Sequence, residues 1–306
     1  MRFFISANIK SNKPLYYLIL AFLIFLLFYW ISSWIYFYHK YGFTYSSSFK
    51  YFFGDPNFPE RISLSQLSED MHVDVFLKAF YILVLFSLFL LSSFPKKLKT
   101  TLIIGTTFSG IFAVLSDLLI VYGSPLFIYV KLFSFFMFQV LSGVALLLTL
   151  LFFIFMGEDK ASGVSSIKLL LLMFSLFLFI FVFINFIVFF SKMGFTFDSV
   201  KSYYLGNPST FSKPKTFEGM LKVFHPHLLS MAIYSISVSH LILFTNSKRK
   251  LLIGLSLFFF SFLDNLSGFL VRFVHPQMAI AKVLAFLSLQ CLLLYTSFLL
   301  FRSSKA

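Results

Sequence analysis

The tightest cluster of chemically competent side chains is His225-Pro226-His227. Neutral imidazole is the commonest protein metal ligand. On a regular helix, rings two residues apart point in different directions. At a helix start the first residue is not yet helical, so the two rings can converge. Zinc or copper would need about three protein ligands. His72, Asp74 and His275 are the candidates to complete the set, with His72, His225 and His227 as metal ligands. An axial histidine is also the usual protein ligand of haem. These residues therefore point to a transition metal or haem used for electron transfer, with a redox partner at the same face. The plainer alternative is that His225 caps its helix while His227 bonds to a loop or a lipid headgroup.

His240 lies 13 residues past His227, about 20 Å along a helix at 1.5 Å per residue. That spacing would suit two stacked haems, but no second histidine falls at the deeper level. At most one haem is expected, and His240 is expected to hydrogen-bond between helices. No His-Glu-x-x-His, Gly-x-Ser-x-Gly or phosphate-loop motif occurs, so no catalytic residue is assigned.

Other ionisable residues fall inside apolar stretches, where they are costly and default to a functional hypothesis. They are Lys78, Asp117, Lys131, Asp264, Arg272 and Lys282, with Asn265 beside Asp264. Asp74 and Lys78 form an i,i+4 pair. Two further functions follow. One is a small-solute or ion transporter with a pathway between two repeats, lined by Asp264, Asn265 and Gln139. The other is a non-catalytic subunit or scaffold among other membrane subunits, with the charges as glue. Asp264 has an apolar counterpart in the first half, so its polarity is expected to be asymmetric.

The elements that must position these residues are membrane spans. The chain has 306 residues, of which 59% are hydrophobic and 12% charged, against about 25% charged in soluble domains. Mean hydropathy is +0.92. The 49 phenylalanines read as lipid-facing bulk. The single cysteine, Cys291, rules out an intramolecular disulfide. A net charge of +14 does not indicate nucleic acid, because the basic residues form short clusters between apolar runs.

Eight spans are predicted at 15–38, 73–94, 100–122, 126–155, 167–191, 226–245, 250–272 and 277–301, each long enough for ~30 Å of hydrocarbon. Pro14, Pro125, Pro226 and Pro276 suit first helical turns. The short segments holding Arg2, Lys96, Lys97, Lys99, Lys160, Lys248 and Arg302 place both termini in the cytoplasm by the positive-inside rule. The expected location is a bacterial inner (plasma) membrane. On this orientation nearly all buried ionisable groups lie in the outer half, and the inner half is apolar except for His240.

The chain also reads as an internal duplication. Residues 41–56, YGFTYSSSFKYFFGDP, align without a gap on 193–208, MGFTFDSVKSYYLGNP. The stretch from Val114 to Lys131 aligns on Asn265 to Lys282, and Met71-His72-Val73-Asp74 falls opposite Phe224-His225-Pro226-His227. Four spans per half make the repeats parallel. The expected architecture is an all-α polytopic bundle of eight transmembrane helices in two parallel four-helix repeats, 1–156 and 167–306, joined by a cytoplasmic linker at 157–166. Ser63 with Gln66 reads as a capping box, which suggests a short interfacial helix before His72.

Overall fold

A computed structural model describes residues 13–155, 165–243, 245 and 247–305. Most of the expected linker at 157–166 lies outside the described residues. Among the described residues the chain is mostly helical, with one short hairpin, an isolated bridge between Asn207 and Ser212, and connecting turns. The helices are α1 (Lys13–Tyr41), α2 (Tyr45–Phe53), α3 (Leu64–Phe89), α4 (Lys96–Leu118), α5 (Phe127–Phe155), α6 (Ser165–Met193), α7 (Phe197–Leu205), α8 (Phe217–Ile242), α9 (Lys250–Phe269) and α10 (Ala279–Lys305). The hairpin pairs β1 (Gly54–Asp55) with β2 (Phe58–Pro59).

Seven helices among the described residues are long and apolar enough to cross a membrane: α1, α3, α4, α5, α6, α9 and α10. The bundle is thus polytopic. The remaining long helix, α8, has 26 residues but is outside those seven. Its region is where the sixth of the eight expected spans falls.

Three local features differ from expectation. First, α2 and α7 form at positions where the sequence suggested no helix. Each opens on a capping box, Thr44 with Ser47 and Thr196 with Ser199. Each ends on a glycine at positive φ, Gly54 at 81° and Gly206 at 79°, a conformation costly for any residue with a β-carbon. Second, the capped segment after Ser63 does not stop before His72. It runs straight into α3.

Third, Pro226 lies inside α8 rather than at its start. An interior proline frees carbonyls one turn back. Here the His227 ring Nδ1 lies 2.9 Å from the Val223 carbonyl oxygen, one turn back on the same helix.

The described contacts divide into two units, Met1–Phe177 and Leu178–Ala306. In the first, α1 is fastened to α5. Trp30 Nε1 donates to the Gln139 carbonyl at 2.9 Å, and Phe37 stacks on Phe135 with centroids 3.6 Å apart. In the second, α6 is fastened to α10. Phe189 stacks on Phe286 at 4.0 Å, and Asn185 Nδ2 donates to Gln290 Oε1 at 3.1 Å. Extending the duplication alignment makes Phe37/Phe135 and Phe189/Phe286 equivalent pairs, and likewise Gln139 and Gln290.

The units also share two terminal devices. α4 and α9 both finish in a five-residue π-turn, Leu119–Gly123 and Leu270–Val274. The Lys99 ammonium donates to the carbonyls of Leu90, at 3.1 Å, and Ser92 at the end of α3. Its counterpart Lys250 donates to Leu243 at the end of α8, at 2.8 Å. Cations there complement the open carbonyls and the helix dipole.

Candidate functional site

In the first unit the ionisable residues converge where α2 packs. The last turn of α1 carries Lys40 there, whose ammonium lies 2.6 Å from Asp70 of α3 and donates to the Tyr36 hydroxyl at 3.1 Å. The rings of Tyr36, Tyr41 and Tyr51 surround it at 5.2–5.5 Å from their centroids, within cation–π range. Tyr51 of α2 donates a short hydrogen bond to the other Asp70 oxygen. Burial, and then that bond, pushes the Tyr51 phenol far above its ordinary pKa, so it stays a donor.

One turn further along α3, Asp74 pairs with Lys78. Across the bundle, Asp117 of α4 pairs with Lys131 of α5, and each side chain is 2% exposed. Lys131 also faces the Tyr41 ring at 4.2 Å and reaches the Ala113 carbonyl at 3.4 Å. Asp74 is within electrostatic range of Lys131 and Lys40, and Asp117 within range of Asp74 and Lys78. Three lysines and three aspartates thus form one charge-balanced network.

The second unit carries a reduced version. Lys282, the counterpart of Lys131, lies 2.7 Å from the Asp264 carboxylate and 2.8 Å from its carbonyl. The alignment sets Asp264 opposite Ala113 and Gly268 opposite Asp117. The acid has therefore moved one helical turn while the lysine stayed. Asp264 is thus paired in its own unit and faces an apolar residue in the alignment. The first-half counterparts Asp70, Asp74 and Lys78 become Val223, His227 and Met231, while Lys40 keeps its lysine as Lys192.

Other expected residues are engaged locally. Asn265 Nδ2 donates to the Ser261 carbonyl of its own helix at 2.9 Å, and Arg272 Nε to Lys215 O at 2.9 Å. His275 Nδ1 accepts from the Gln277 amide at 3.2 Å, capping the Pro276–Met278 turn. His227 and His240 are exposed, and His72 is partly buried on α3. The side chain of His225 lies outside the described residues. Among the described residues no group of three His, Cys, Asp or Glu is placed to hold a metal ion.

Lys40, Tyr41, Tyr51 and Asp70 escaped the sequence reading. A signal existed for two of them, because Lys40 and Tyr51 recur as Lys192 and Tyr203 in the aligned halves.

Comparison with curated proteins and with solved structures finds no match. A family model described as a transmembrane helical domain, Aq_1264_TM, matches residues 42–160 and 194–305. The two stretches open on Gly42 and Gly194, which face each other in the duplication alignment. Together they cover more than half of the chain, so this integral membrane protein belongs to the Aq_1264_TM family of transmembrane helical domains.

Proposed function

We propose that the protein binds a small charged or zwitterionic solute at the first unit's Asp/Lys network and carries it as a transporter. The observation that carries this reading is the buried Asp117–Lys131 pair with Asp74, Lys78, Lys40 and Asp70 gathered around it. Each ion taken from water costs several kcal/mol, and apolar residues of similar size often serve stability as well. Glue alone needs no more than the single pair of the second unit. A balanced network can instead open for a ligand, its carboxylate meeting a lysine and its ammonium an aspartate, leaving no charge uncompensated.

The same proposal includes the repeat boundaries at 156 and 167, the inner-membrane location and the cytoplasmic termini. The equivalent Phe, Gln and Lys pairs and the two family matches support the repeats. The lysine distribution supports the orientation. The metal, haem and electron-transfer reading finds no supporting geometry among the described residues and is not carried further.

The test is uptake of a radiolabelled amino-acid panel into proteoliposomes. Uptake of at least one member, lost in Asp117→Asn and in Lys131→Gln, is the expected result. The reading falls if no member is taken up, or if a folded D117L/K131M protein transports as the wild type does.

A further inference from the structure

The seam between α4 and α5 is polar well beyond the charge network. Its antiparallel register is set by three contacts. Asp117 pairs with Lys131. A β-carbon on Gly110 would lie 3.1 Å from the Phe138 ring, and one on Gly105 would lie 2.8 Å from Leu141. The same register sets Thr106 level with Ser142, and Lys99 level with Thr149. All four are fully buried. The expected apolar inner half is therefore interrupted along this seam.

The second half shows what the fold itself requires here. The counterparts of Thr106, Ser142 and Thr149 are Leu257, Leu293 and Leu300, each exposed by 1% or less. Leucine satisfies the packing at every one of these positions, so the hydroxyls of the first half are not needed to build the bundle.

Several groups along the seam also lack partners. The Thr106 and Thr107 hydroxyls and Gln139 Oε1 are buried without a hydrogen bond, which is costly for a polar group. Tyr81 stands beside Gln139's helix, its ring 6.1 Å from Phe138. In the second half Gln290 Oε1 is taken by Asn185, so the equivalent glutamine is satisfied there and open here.

Hydroxyls both donate and accept, so a file of them with intervening water passes protons by successive hydrogen-bond exchange. A metal cation fits poorly between Lys131 at one end and Lys99 at the other, with no carboxylate between them. We propose that the α4–α5 seam of the first repeat conducts protons between the Asp/Lys network and the Lys99 end. One proton enters as one leaves, and no group is consumed. The column deepens the transporter reading by naming its coupling ion.

The experiment uses the full chain in phosphatidylcholine/phosphatidylglycerol liposomes loaded with a pH-sensitive dye. A valinomycin-driven potassium potential supplies the force, and the proton itself is the probe. Proton influx above that of protein-free vesicles is expected. It should fall to background in T106L/S142L, which installs the second half's own residues, and drop severalfold in the isosteric Thr106→Val. It should be unchanged in Leu257→Ile. Wild-type influx equal to empty vesicles, or undiminished influx through a folded T106L/S142L protein, overturns the proposal. Solute uptake without proton influx sinks the column and leaves the solute site standing. Proton influx with no solute taken up does the reverse.

Discussion

Tyr204 fills the space that a side chain on Gly268 would need: a β-carbon there would lie 2.7 Å from the Tyr204 hydroxyl oxygen. In the first half the same two positions hold Phe52 and Asp117. One unit thus has a carboxylate and no phenol hydroxyl at these two positions, and the other a phenol hydroxyl and no carboxylate. Gly268→Ala is expected to cost about 1–3 kcal/mol through overpacking. Adding Tyr204→Phe should recover only part of it, because ring carbons at 2.9 and 3.0 Å from the β-carbon remain. Thermal unfolding in detergent measures both, and equal stability of the Ala variant and the wild type would contradict the account.

Removing one member of the Asp117–Lys131 pair leaves the other buried and unpaired. Asp117→Asn or Lys131→Met alone should each cost about 3–5 kcal/mol, whereas D117L/K131M should come within about 1 kcal/mol of wild type. Denaturant unfolding in mixed micelles checks this. Single variants as stable as the wild type would show that the pair is not desolvated.

Asp55 and Lys50 form an exposed pair at 2.8 Å beside the β1–β2 hairpin. The hydrogen bond from Lys50, and next that from the Asn57 amide, hold the Asp55 carboxyl below its ordinary value. A depressed folded pKa contributes stability above the ordinary carboxylate value of about 4, lost as pH falls through the lowered one. Lys50→Met should shift the Asp55 midpoint upward in a carboxyl-carbon NMR titration. An unmoved midpoint would exclude the lysine as the cause.

His227 adds a side-chain contact to the Val223 carbonyl in the turn that Pro226 interrupts. His227→Ala should speed amide exchange around Val223 and cost about 1 kcal/mol or less, with no change in the metal content of the purified protein. Stoichiometric iron or zinc that disappears in this variant would restore the histidines as ligands.

The long helices were legible because their apolar runs exceed any soluble alternative. Thr44–Ser47 and Thr196–Ser199 hid α2 and α7, because the third helical position carries serine rather than the glutamate or glutamine that signals a capping box. Pro226 suggested a helix start because proline favours first turns, and nothing in the local sequence shows that the helix runs through it. Asp117 and Lys131 were legible as costly intramembrane charges. Lys40 with Asp70 was not, since their contact joins α1 to α3 across a loop. The compensating exchange of Phe52/Asp117 for Tyr204/Gly268 depends on which side chains share a volume, and spacing along the chain carries no such information.

The capping role of Lys99 and Lys250 bears on how membrane orientation can be mapped. Charge-swap mutagenesis, which inverts a protein by moving its lysines, would strip the carbonyls at the ends of α3 and α8 of their donors. A misinserted or degraded product would then report a broken helical hairpin, not a reversed topology. Lys96, Lys97 and Lys248, which serve neither cap, are the residues on which such mapping can be done cleanly.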